Sequence, residues 1–136
     1  MMKFFMTNWL GIVIATVAAM AIGSLWYSKL MFGKEWQKLV KLKDKDMKKG
    51  MISGMLVMLV MAFISAYVLK RFIVIAAPVE MLEALKLAFW IWLGFVVTYV
   101  VGGGIFEKRS AELMAINLAN QLVTLLVMAA VLFKIN

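Results

Sequence analysis

The sequence predicts an all-α integral membrane protein: a four-transmembrane-helix bundle with an amphipathic interfacial helix between helices 1 and 2. Three observations predict it. The 136 residues are 65% hydrophobic with a mean hydropathy of +0.97, which leaves too little polar surface to coat a soluble domain of this size. Charged residues divide the chain into four uncharged runs, Lys3 to Lys29, Lys49 to Lys70, Lys86 to Glu107 and Glu112 to Lys134. Each run holds about twenty residues or slightly more, enough to cross ~30 Å of hydrocarbon at ~1.5 Å per residue. Hydrocarbon offers the backbone no hydrogen-bond partner, so every span must be helical. Residues 1–136 read as a single membrane domain.

The first span, about residues 5–28, starts near Trp9 and ends at the interface pair Trp26-Tyr27. Lys3 followed by an apolar stretch resembles a signal peptide, but the run is long for that, and the sequence favours a retained helix. The linker, 29–49, repeats Phe32, Trp36, Leu39 and Val40 on one helical face and Lys34, Lys38, Lys41 and Lys45 on another. That pattern predicts an amphipathic helix lying in the membrane interface, its four lysines among anionic headgroups. Asp44 or Asp46 is then a cap for the second span, 50–69.

Pro78 is expected at a first helical position, with Glu80 and Glu83 beside it, ahead of the third span, 84–106. Trp90 and Trp92 suit an aromatic belt, and Gly102-Gly103-Gly104 is expected to end or loosen the helix. Ser110 is the expected N-cap of the fourth span, 111–133, with Glu112 in its first turn. Spans three and four then form a tight antiparallel hairpin.

Four spans put both termini on one side. The linker and the Glu107–Ser110 turn share the other, which carries ten Lys/Arg against five on the termini side. The positive-inside rule places the linker in the cytoplasm and the termini outside, in a plasma or inner membrane. The net charge of +8 belongs to this asymmetry, with eight lysines between 29 and 49, and predicts anionic lipid rather than nucleic acid as partner. Cysteine and histidine are absent, and Asp44 and Asp46 are the only aspartates. Thiol, Ser-His and most metal chemistry lose their usual groups. The expectation is no enzyme activity, no catalytic residue, no metal and no cofactor.

Small residues recur at four-residue spacing in every span: Gly11, Ala15, Ala19 and Gly23; Gly50, Gly54, Ala62 and Ala66; Gly94, Thr98 and Gly102; Ala111, Ala115 and Ala119. Such ridges allow close backbone approach where lipid provides no hydrophobic drive for association.

The fourth span also carries Asn117, Asn120, Gln121 and Thr124 within roughly a 100° arc, nearly opposite its alanine ridge. Three of the chain's six Asn/Gln fall within these five positions. An amide exposed to hydrocarbon is costly, so the stripe must face protein or water. Three readings stand: hydrogen bonds to neighbouring helices of the same chain, the same bonds between subunits of a homo-oligomer, or a polar pathway or binding site. Thr98, Tyr99, Asn8 and Tyr27 are the candidate partners. Glu107 reads as an interfacial carboxylate paired with a nearby Lys or Arg, or as a coupling carboxylate at a cavity mouth. The leading reading is a small non-enzymatic homo-oligomer. The alternative is a small channel or transporter that uses the stripe.

The stretches "NWLGIVIATVAAMAIGSLWYSKLMFGKEW" (8–36), "WLGFVVTYVVGGGIFEKRS" (92–110) and "NLANQLVTLLVMAAVL" (117–132) resemble domain-of-unknown-function family 1761 of small membrane proteins. Trp26-Tyr27-Ser28 and Phe32-Gly33-Lys34-Glu35-Trp36 are the most specific elements, followed by Phe106-Glu107 and Asn117. The lysine-rich linker and the triple glycine depart from the family pattern. The resemblance implies a four-helix membrane protein and brings no reaction with it.

Overall fold

The computed structural model describes residues 9–135, the side chain of Met47 excepted. Its elements in chain order are α1 (Trp9–Trp26), α2 (Gly33–Val40), α3 (Asp44–Lys49), α4 (Met51–Ala76), α5 (Met81–Phe106) and α6 (Ala111–Lys134). Helices α1, α4, α5 and α6 are each long and apolar enough to cross a membrane. The molecule is an all-helical, multi-pass bundle.

Its core lies toward the end where α1 begins and α6 finishes. Ile12, Ala15 and Ala19 of α1, Ala66, Leu69 and Ile73 of α4, Ala88 of α5, and Leu125, Met128, Ala129 and Leu132 of α6 form one buried cluster. Five of these eleven are alanines, so the helices approach closely at this end. Gly11 marks the tightest point: a Cβ there would lie 2.7 Å from the Ile135 carbonyl oxygen. At the opposite end α4 stands away from the bundle, and residues 51–61 are all exposed. Two ridges therefore do not pack as the sequence suggests. Gly54 and the α5 series Gly94, Thr98 and Gly102 face outward, and a Cβ on any of the three glycines would meet nothing within 4 Å. Ala111 and Ala115 are exposed as well.

The second span is longer than its charges suggest. Helix α4 continues past Lys70 and Arg71 to Ala76. Lys70 is wholly buried, and its Nζ donates to the Leu132 carbonyl oxygen, 3.0 Å away, in the last turn of α6. It satisfies a carbonyl that the helix end leaves over and places positive charge at the negative end of the helix dipole.

The linker forms two helices rather than one. Helix α2 keeps the amphipathic pattern: Trp36, Leu39 and Val40 are half-buried, Lys34 and Lys38 exposed. Lys41 then adopts a left-handed conformation (φ 59°) and ends the helix, so Lys41 and Lys45 lie beyond it. Asp44 opens α3 instead of capping α4, and its Oδ1 accepts from Gln37 Nε2 at 2.8 Å.

Pro78 lies in the turn before α5, which begins at Met81 with Glu80 as N-cap. The Glu83 carboxylate accepts from the Val79 N–H at 2.8 Å. The helix runs through the triple glycine to Phe106, and its irregularity lies earlier, in a π-helical turn over Trp92–Val97. The cause is visible in the inward residues. Ala84 and Ala88 are buried, Trp92, Val96 and Val100 half-buried, and Gly104 buried again. Steps of four drift by about 40° each on a regular α-helix, and one wide turn absorbs part of that drift. Ser110 caps α6 as expected, its Oγ accepting from Leu113 N–H at 3.1 Å.

A polar-floored cavity between α1, α4 and α6

Because α4 stands off at the linker end, a cavity of about 560 Å³ separates its first half from α1 and α6. Most of its wall is apolar and unusually rich in thioethers: Met20, Met51, Met55, Met58, Met61 and Met128. Its polar groups are Ser24, Tyr27, Ser65, Asn120, Gln121 and Thr124. Trp36 of α2 lines it at the linker end. None of the side chains lining it is charged.

The α6 stripe supplies half of these polar groups. Asn117 is spent on structure: its Oδ1 accepts from the Tyr27 hydroxyl at 2.7 Å. One residue earlier, the Trp26 indole N–H donates to the Ile116 carbonyl at 3.2 Å. These two bonds hold the end of α1 on α6 where the rest of that end opens. Beyond them Asn120, Gln121 and Thr124 line the cavity. Asn120 is only 5% exposed, and its buried Nδ2 has no hydrogen-bond partner among the described residues. An unmet buried amide donor costs about 1–3 kcal/mol.

Of the four expected partners, Tyr27 is brought to the stripe and two others are not. Thr98 donates to its own helix, to the Gly94 carbonyl at 2.8 Å. Tyr99 is 81% exposed on the outer face of α5. In an unbroken α-helix Tyr99 would fall about 20° from the buried Ala88. The π turn adds a residue to the intervening coil and swings Tyr99 outward. Asn8 lies outside the described residues. Glu107 pairs with Arg109 at 2.6 Å in the exposed turn between α5 and α6, away from the cavity. Lys34 and Lys38 project from α2, and Lys41 and Lys45 follow it, all exposed.

Three contributors escape sequence reasoning. Trp92, expected only as a belt residue, donates its indole N–H to the Leu118 carbonyl at 2.9 Å and anchors α5 on α6. Ser65 and Ser24 join the polar lining although each is isolated in its span. Gly33, inside the Phe-Gly-Lys-x-Trp element, is buried against the carbonyls of Tyr27 and Ser28. It permits the sharp turn that brings Trp36 edge-on to Tyr27, with ring centroids 5.5 Å apart.

A search of curated proteins and one of solved structures returned no match. A family model described as "Protein of unknown function (DUF1761)" matches residues 10–133. That span covers the Trp-Tyr-Ser and Phe-Gly-Lys-x-Trp elements, all four membrane-crossing helices and the cavity between them, and the chain belongs to this family.

Proposed function

We propose that this is a non-enzymatic protein of the plasma membrane that takes a small molecule from the bilayer into the cavity between α1, α4 and α6, as a carrier or transporter. One observation carries the reading: Asn120, Gln121 and Thr124 line a cavity instead of bonding to a neighbouring helix. Purely structural amides would be bonded, as Asn117 is. The volume, about 560 Å³, falls within the range of roughly 300–1,000 Å³ typical of small-molecule sites. The absence of His and Cys from the chain supports a binding role over a catalytic one. The charge asymmetry supports a cytoplasmic linker, with Lys34 and Lys38 of α2 and the neighbouring Lys41 and Lys45 among anionic headgroups.

The test is native mass spectrometry of the protein taken directly into lipid nanodiscs, beside Ser65→Trp, which fills the cavity from α4. A stoichiometric small-molecule adduct on the native protein that is lost from the variant is the expected result. A native protein that carries only bulk lipid would overturn the reading.

A second observation supports homo-oligomers. The outward Gly94, Thr98 and Gly102 ridge of α5 is unused within the chain, and its two glycines have open space above them. A second copy packed on this face would use it. The same mass spectra report the number of copies.

A further inference from the structure

The chemistry of the lining narrows what the cavity takes, and this step rests on the binding reading above. None of the lining side chains is charged. A net charge inside would lose its hydration with nothing to neutralise it, at several kcal/mol. The bound part of the ligand is therefore neutral. The first half of α4 is exposed over residues 51–61, so the cavity opens sideways as well as toward the linker. A ligand that enters through hydrocarbon must itself be lipophilic. Six methionine thioethers, unbranched and adaptable, give it an apolar wall that moulds to a flat ring or a chain.

The polar floor then specifies the head. Asn120 is more than nine-tenths buried, and its Nδ2 lacks an acceptor. The Tyr27–Asn117 bond is closed on itself and supplies none. Gln121 and Thr124, on the same face of α6, bring an amide and a hydroxyl that can also donate. A floor built from neutral donors, one of them unmet, calls for an acceptor oxygen that carries no charge.

We propose that the cavity binds a neutral lipophile that presents a carbonyl oxygen to Asn120 Nδ2. A quinone ring and the ester of a neutral glyceride both offer this group, and the test separates them.

The protein is placed in nanodiscs of ether-linked lipid, which removes ester carbonyls from the surroundings. Three probes are titrated: a decyl-substituted benzoquinone, dioctanoylglycerol and decylbenzene, which has the apolar body but no carbonyl. The expected result is saturable, stoichiometric binding of the quinone or the glyceride, whichever is the true source. Binding of that probe is expected to be weaker by roughly tenfold in Asn120→Leu, the loss of one buried hydrogen bond. The native protein gives an independent readout: the carbonyl infrared band of the bound probe, ¹³C-labelled, moves to lower frequency. That shift keeps the proposal open to refutation if the variant fails to fold. Decylbenzene bound as tightly as the carbonyl probes, or an unshifted carbonyl band, would overturn the carbonyl assignment and leave the cavity reading standing. No binding of any of the three would overturn both.

Discussion

The Lys70 ammonium group reaches across the bundle to the Leu132 carbonyl oxygen, 3.0 Å away, and ties α4 to the last turn of α6. The two residues are 62 positions apart in the chain. Lys70→Met keeps the apolar stem and removes the donor. The expected loss is about 1–2 kcal/mol, the range of a charge-assisted bond at a helix terminus. Lys70→Ala should cost more, about 2–5 kcal/mol, because it also leaves a void. Unfolding in mixed micelles by SDS titration ranks the two; equal losses would show that the stem contributes nothing.

Tyr27 and Asn117 close the α1–α6 contact beside the cavity. Tyr27→Phe should lower stability by about 0.6 kcal/mol and by no more than about 1.7, the range measured for hydrogen bonds between membrane helices. In a double-mutant cycle, Tyr27→Phe with Asn117→Leu should lose less than the sum of the two singles. Additive losses would mean that the residues act separately.

A methyl group at Gly33 would lie 2.6 Å from the Ser28 carbonyl oxygen and against that of Tyr27, both backbone atoms with little freedom to move. Gly33→Ala should therefore displace α2, draw Trp36 away from Tyr27 and cost about 1–3 kcal/mol. Gly23→Ala, where a Cβ meets nothing within 4 Å, is the control and should be nearly neutral. Trp36 fluorescence, isolated by replacing the other tryptophans with Phe, reports the displacement.

The chain has no cysteine, so single-cysteine cross-linking has no background. If copies meet along the outer ridge of α5, Gly102→Cys should form disulfide-linked dimers in native vesicles, and Gly23→Cys, on the cavity side, should not. Monomers from both would remove α5 as the contact.

The spans were legible because charge and hydropathy are local properties: Lys49, Glu107 and Glu112 each stand within a few residues of a real helix end. Lys70 misled for the opposite reason. Its partner lies on another helix, and nothing near it in sequence marks it as buried. The inward placement of Asn120 and Gln121 was readable, since amides at helical spacing cannot face lipid. That they face a cavity was not, because the cavity exists only where α4 leaves the bundle, a relation among three helices. The exclusion of Thr98 and Tyr99 was equally hidden. The stretch Trp92–Val97 carries no proline or polar insertion to announce a wide turn, yet that turn decides which way the rest of α5 faces.

The wide turn also has a genetic meaning. It holds one residue more than a regular α-helical turn would need, and that residue is one codon. An in-frame deletion of Phe95 should restore regular winding and rotate everything after it by about 100°. Tyr99 would turn from the outside toward α6, and Gly104 would leave the side chain of Met114 that it now packs against. A substitution at this position exchanges one lipid-facing side chain for another. The loss of three nucleotides exchanges the surfaces of half a helix.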